Sequence, residues 1–217
     1  MSSMEAGIDE AGRGPVIGPM VVACVVLKPE VARALQRLVK DSKLLSPQAR
    51  RRIYRAICAV AEEVRIRVVE PREIDAAVEG RGDRNLNYLE ARVAAELINS
   101  LRTEVDTVYV DSPDPLPERF AGLIKLHLRG ELQGLKLVAA NHADRLYPHV
   151  AAASIVAKVE RDRVVEELRR LYGDFGSGYP SDPKTRRFLH ELLREGRPLP
   201  PIVRRSWATL KKLSSGT

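Results

Sequence analysis

Apolar residues in this 217-residue chain follow two spacings. In residues 64–70, Val64, Ile66 and Val68 alternate with Arg65 and Arg67, the period of a half-buried strand. Residues 18–27 (GPMVVACVVL) form an unbroken Val-rich run between Gly-Pro and Lys-Pro, which predicts a strand buried on both faces. Residues 5–10, 105–111 and 134–140 complete five predicted strands. Between them the spacing turns helical. Ser46-Pro47 supplies a cap and a first-turn proline for a helix to about Glu62. Residues 86–101 place Leu89, Val93, Ala94, Leu97, Ile98 and Leu101 on one stripe. Further helices are predicted over 117–129, from Pro148 to about Tyr172, from Asp182-Pro183 to about Glu195, and over 204–213. The prolines at 198, 200 and 201 exclude a continuous helix across that stretch.

Three early strands followed by strands alternating with helices predict an α/β domain on a mixed sheet. The glycines at 173, 176 and 178 divide the expected catalytic domain, residues 1–172, from a helical extension over 173–217.

Charge changes this picture. The net charge is +7, and residues 158–217 carry 14 Lys and Arg against 8 Asp and Glu. A near-neutral body with a basic final quarter predicts a polyanion partner. With 44% apolar and 30% charged residues, the chain is expected to fold around a sizeable core. It has no 18-residue apolar run, and MSSMEAGIDE has no basic-then-apolar leader pattern. Cys24 and Cys58 are too few for a disulfide framework or a four-ligand zinc site, and a cytosolic location is expected.

Most acidic residues lie among arginines on predicted helix surfaces. Four do not. Asp9 and Glu10 end the first strand, Asp111 ends the fourth, and Asp144 follows the fifth. Open α/β sheets place their sites at such strand ends. If strands one, four and five are neighbours, the carboxylates converge, and their repulsion calls for a cation. Oxygen ligands favour Mg²⁺ or Mn²⁺, and a pair of such ions can hydrolyse a phosphodiester. Caps and turn formers are the alternative roles for Asp9, Asp111 and Asp144. His142 and His149 flank Asp144 without a zinc spacing, and no Gly-x-Ser-x-Gly elbow is present.

Several motifs then resemble the type 2 ribonucleases H (ribonuclease HII), most closely the archaeal branch. They are Gly7-Ile-Asp-Glu-Ala-Gly-Arg-Gly-Pro15, Asp41-Ser-Lys43, Val110-Asp-Ser112 and Ala143-Asp-Arg-Leu-Tyr-Pro148. They continue through Ala151-Ala-Ala-Ser-Ile-Val-Ala-Lys158, Arg161-Asp162, Gly173-Asp-Phe-Gly-Ser-Gly-Tyr-Pro180 and Pro200-Pro-Ile-Val-Arg-Arg-Ser-Trp207.

The resemblance implies an RNase H-like five-stranded mixed sheet with flanking helices and a C-terminal helical extension. It implies cleavage of RNA in RNA–DNA hybrids, and 5′ of single ribonucleotides in duplex DNA, leaving 3′-hydroxyl and 5′-phosphate ends. Asp9, Glu10, Asp111 and Asp144 match the family's acidic quartet and would hold Mg²⁺ or Mn²⁺, two ions per site. Gly12, Arg13 and Gly14 would read the ribose 2′-hydroxyl and adjacent phosphates, and Tyr179 would pack on the sugar at the junction. Lys43, near a helix start, and Ser154 and Lys158, on one helix face with Arg161, would contact the backbone. A monomer is expected. The competing readings are a non-catalytic nucleic-acid binder that kept the fold, and another metal nuclease such as a resolvase or integrase core.

Overall fold

The computed structural model describes residues 3–39, 46–196 and 198–214. All five expected strands form: β1 (Glu5–Ala11), β2 (Met20–Leu27), β3 (Glu63–Val69), β4 (Thr107–Asp111) and β5 (Lys136–Ala140). They make one sheet in the order β3-β2-β1-β4-β5. β1 runs antiparallel to β2 and parallel to β4, and β4 runs parallel to β5. The sheet is therefore mixed, and strands one, four and five are neighbours.

The helices are α1 (Pro29–Val39), α2 (Pro47–Val60), α3 (Pro71–Val78), α4 (Leu86–Asn99), α5 (Pro117–Lys125), α6 (Ala143–Leu146), α7 (Pro148–Tyr172), α8 (Pro183–Arg194) and α9 (Ala208–Ser214). Three of them depart from the pattern reading. α1 opens at the Lys28-Pro29 that reads as a strand boundary, and α3 opens at Glu70-Pro71. Proline closes a strand and opens a helix equally well, so the residue alone does not decide. α6 is four residues long, too short for any period to register. Ser46 caps α2 as expected, its hydroxyl accepting from the Ala49 N–H at 3.2 Å. Asp182 caps α8, accepting from the Lys184 N–H at 2.9 Å.

The chain forms two compact units. The first comprises residues 1–11, 21–67 and 87–159. Every residue of β2 is buried, as its unbroken apolar run predicts. On one face Ala23, Val25 and Leu27 pack with Ala32, Leu35 and Ile57 and with Ala151–Ala153 and Ile155–Ala157 of α7. Those alanines bring a helix close to the sheet. Gly7 does the same from β1, since a Cβ there would lie 2.1 Å from the backbone carbonyl carbon of His149.

The second unit comprises residues 12–20, 68–86 and 160–217. Its core joins Val16 and Ile17 to Val165, Phe175, Leu189, Ile202, Val203 and Leu210. Ile17 and Val203 form an antiparallel bridge. The last helix consequently starts at Ala208 rather than at 204, because residues 202–204 are extended along residues 16–18.

Candidate active site

Register places the carboxylates. Ile8 of β1 pairs with Val110 of β4, so Asp9 and Asp111, one residue on, stand side by side where the parallel ladder ends. Asp111 in turn pairs with Ala140 of β5. Asp9 is buried, while Glu10 and Asp111 are half-buried. One carboxylate oxygen from each of Asp9, Glu10 and Asp111 lies within 4.8 Å of the other two.

Short hydrogen bonds hold the cluster. The Glu10 N–H donates to Asp9 Oδ1 at 2.7 Å, and the Ala143 N–H donates to Asp111 Oδ1 at 2.6 Å. The second bond requires a sharp turn before α6, which His142 supplies in the left-handed conformation (φ 55°, ψ 38°). Burial, reinforced by the charges of Glu10 and Asp111, pushes the Asp9 carboxyl well above the usual carboxylate range. A hydrogen bond from Ser154 and the Lys158 ammonium oppose that rise. Lys158 Nζ donates to Ser154 Oγ at 2.7 Å, so the two residues act on Asp9 as a pair.

Asp144 stands on α6, half-buried, outside the three-carboxylate group among the described residues. His149 is a core residue. Its ring stacks on Tyr109 at 5.5 Å, and burial pushes its pKa down to about 4. Ser154 is buried and faces Asp9 rather than solvent. Lys43 lies outside the described residues.

Pattern reading passes over one further carboxylate. Glu90 of α4 is only 4% exposed and lines a small cleft with Glu10, Asp111, Ile8, Val22, Ala94, Val110 and Phe120. A signal for it exists in the sequence, because Val93, Ala94 and Leu97 follow Glu90 at helical spacing on the apolar stripe.

In the second unit, Gly12 has φ +91°, and a Cβ there would fall 2.1 Å from Arg161 Nε. Arg161 is itself buried and donates from Nε to the Pro19 carbonyl at 3.2 Å. Its guanidinium lies 5.6 Å from the centre of the Tyr179 ring, and Tyr179 is 41% exposed. A Cβ on Gly14 would meet Tyr179 Cε1 at 3.7 Å. Gly14 and the exposed tyrosine are thus neighbours. Arg161, expected on a polar helix face that contacts the nucleic-acid backbone, is instead buried against Gly12, with its guanidinium over the Tyr179 ring.

The family model for ribonuclease HII matches residues 6–210. The chain belongs to the ribonuclease HII family. The ribonuclease HII of Thermofilum pendens is 53% identical over 211 residues, spanning 96% of this chain and 98% of that protein. The crystal structure of ribonuclease H2 from Pyrococcus horikoshii superposes with a TM-score of 0.87 at 43% identity, covering 98% of each chain. The ribonuclease HII of Archaeoglobus fulgidus, solved as a complex with PCNA, gives a TM-score of 0.83 at 42% identity over 96% of each chain. The fold is that of ribonuclease H, and the protein is a hydrolytic endonuclease. Ribonucleases of this family depend on a metal, and the Asp9, Glu10 and Asp111 donors suit one. They offer only carboxylate oxygen, converge on one point, and include a buried acid, Asp9, whose pKa burial and the charges of Glu10 and Asp111 raise. Among the described residues, no helix is long and apolar enough to cross a membrane.

Proposed function

We propose that this member of the ribonuclease HII family, beyond the cleavage of RNA in RNA–DNA hybrids that its family membership supports, cuts 5′ of single ribonucleotides embedded in duplex DNA. The cut leaves 3′-hydroxyl and 5′-phosphate ends. The convergence of Asp9, Glu10 and Asp111 carries this reading. Clustered negative charges would only weaken a pure nucleic-acid binder, so an acidic cluster in a chain of net charge +7 supports catalysis over binding alone.

Asp9, Glu10, Asp111 and Asp144 would hold Mg²⁺ or Mn²⁺, two ions per site. Bound there, the metal supplies positive charge beside the phosphate and lowers the pKa of the attacking water. The protein's own groups do the rest. Glu10's N–H and the Ser154–Lys158 pair aim the Asp9 carboxylate and support its ionised form. The first N–H of α6 fixes Asp111. Asp144 joins the set from the same short helix.

Gly12, Arg13 and Gly14 read the ribose 2′-hydroxyl and nearby phosphates, and the exposed Tyr179 ring packs against the neighbouring sugar. Lys43 and Lys158 add phosphate contacts, and Ser154 serves Lys158. Residues 173–217 act as the basic extension that grips the duplex. The enzyme works as a cytoplasmic monomer in replication and in the removal of ribonucleotides from DNA.

The test is cleavage of a duplex with one embedded ribonucleotide, mapped at nucleotide resolution, with and without Mg²⁺ and beside an all-DNA control. A single metal-dependent cut on the 5′ side of the ribonucleotide is expected. Cleavage of the all-DNA duplex, or a cut elsewhere, would refute the reading.

A further inference from the structure

The Gly12–Gly14 loop is held from beneath by a side chain that lies more than 180 residues away in sequence. Arg204 is fully buried, at 0% exposure. Its Nη2 donates to the Gly12 carbonyl at 2.6 Å, its Nη1 to the Arg13 carbonyl at 2.8 Å, and its Nε to the Gly18 carbonyl at 2.9 Å. Trp207 Nε1 takes the next carbonyl, that of Gly14, at 3.0 Å. The Arg204 guanidinium stacks on the Trp207 ring at 4.8 Å, so the two side chains form one clamp.

The clamp is itself locked. The Arg204 N–H donates to the Val16 carbonyl at 2.9 Å, and the Gly18 N–H donates to the Ile202 carbonyl at 2.8 Å. The two residues after Arg204 are pinned to α3, where Asp75 accepts from the backbone N–H groups of Arg205 and Ser206 and from the Ser206 hydroxyl.

Peptide stereochemistry then fixes the loop's other face. In a trans peptide the C=O of one residue and the N–H of the next point in opposite directions, and no cis peptide occurs among the described residues. Fixing the Gly12 and Arg13 carbonyls on Arg204 therefore aims the N–H groups of Arg13 and Gly14 away from it. The next residue is Pro15, which has no N–H, so the run of donors stops at two. The buried guanidinium also places a positive charge behind these two amides, on the side opposite an incoming phosphate or hydroxyl.

We infer that Arg204, backed by Trp207, is the positioning residue that sets the direction of the two amide donors with which the Gly12–Gly14 loop recognises a ribonucleotide. This inference rests on the loop-reading role proposed above. A guanidinium is needed because three carbonyls are served from one planar fork. A lysine ammonium keeps the charge but cannot reproduce that geometry.

The experiment compares the full-length protein with Arg204→Lys and Trp207→Phe. Binding is measured in EDTA, so that nothing is cleaved, for a duplex with one ribonucleotide and for the same duplex as all DNA. The ratio of the two affinities is the ribonucleotide preference. Arg204→Lys is expected to lower that ratio at least tenfold while all-DNA affinity changes little. Trp207→Phe, which removes one bond and keeps an aromatic ring, is expected to lower it by a smaller factor.

Trp207 is the chain's one tryptophan, so its emission in Arg204→Lys reports the clamp directly, and a red shift is expected. Mn²⁺ binding, followed by calorimetry, should match the wild type in both variants, since Asp9, Glu10 and Asp111 belong to the other unit. A wild-type ratio retained in both variants would overturn the inference, as would equal loss on both duplexes in step with a lowered Tm. A wild type with no preference would instead refute the loop-reading role on which the inference depends.

Discussion

Three glycines between residues 12 and 18 separate backbone strain, overpacking and substrate crowding in one series. Gly12→Ala combines two penalties. At φ +91° an L-residue is strained by about 1–3 kcal/mol. Its methyl would also lie 2.1 Å from Arg161 Nε, 2.4 Å from Arg161 Cδ and 2.7 Å from the Pro19 carbonyl oxygen. Arg161 is buried and bonded to that carbonyl, so it cannot swing clear, and overpacking adds about 1–3 kcal/mol. Gly18→Ala carries only the first penalty, because φ is +90° but the nearest atom to the new methyl is 3.6 Å away. Gly14→Ala carries neither, since its φ is not positive and its methyl meets Tyr179 Cε1 at an ordinary 3.7 Å.

For a chain of this size about 1 kcal/mol shifts Tm by roughly 2–4 °C. Thermal unfolding in EDTA, followed by circular dichroism, should then give a Tm loss of roughly 4–24 °C for Gly12→Ala. The loss for Gly18→Ala should be roughly 2–12 °C. Gly14→Ala should keep or slightly raise Tm, because an alanine at a compatible position restricts the unfolded chain. In activity the order reverses its meaning. Gly14→Ala, though stable, should lose kcat/KM on a ribonucleotide-containing duplex, because its methyl stands beside Tyr179 on the face the substrate would occupy. A Tm for Gly12→Ala within about 2 °C of wild type would refute the packing argument. A Gly14→Ala protein as unstable as Gly12→Ala would do so equally.

Asp9→Asn should abolish cleavage yet leave the metal-free fold as stable or more so at neutral pH. The folded Asp9 carboxyl is raised, so its protonated form is favoured: the contribution of Asp9 to metal-free stability is most favourable below the unfolded carboxyl's value of about 3.9 and is lost as pH rises towards the folded value, against the opposite trend of Glu63, Asp114, Asp174 and Asp182, whose carboxyls are lowered. In urea unfolding against pH, wild-type stability should therefore fall relative to Asp9→Asn as pH rises above about 3.9, and parallel profiles would contradict it. Tyr179→Ala should reduce kcat/KM more on a single embedded ribonucleotide than on a long hybrid; equal losses would leave Tyr179 no role at the junction. Replacing the exposed Lys184, Arg186 and Arg187 of α8 by Ala should flatten the salt dependence of duplex binding by about 0.9 log unit for each phosphate that is no longer neutralised. Lys184 already pairs with Asp174 at 2.6 Å, so the two arginines should account for most of the change, and an unaltered slope would mark α8 as solvated surface.

Local pattern was enough for the strands and for the ends they share. The unbroken run of β2, the alternation in β3 and the acids near the ends of β1 and β4 are properties of neighbouring residues, and strand ends in an α/β sheet are where a site forms. The convergence of Asp9 with Asp111 needed one fact beyond pattern, the adjacency of β1 and β4, which is a long-range pairing. Burial could not be read locally either. Ser154, Lys158 and Arg161 share a polar helix spacing that suggests a face open to the nucleic-acid backbone, yet Ser154 faces Asp9 and Arg161 fills the space that Gly12 leaves. Glu90 shows the converse, a charge on an apolar stripe whose place beside Glu10 and Asp111 appears only when α4 docks on the sheet.

The clamp on the Gly12–Gly14 loop lies furthest from local pattern. Arg204 and Trp207 sit after the proline-rich break, at the start of a stretch, 204–213, whose pattern predicts only a helix of the basic extension. Only chain folding brings them under a loop more than 180 residues earlier. Hydrophobic periodicity records which face of one element is buried. It carries no record of which distant carbonyl a buried guanidinium will meet, because that bond is formed by tertiary closure and leaves no repeat in either segment.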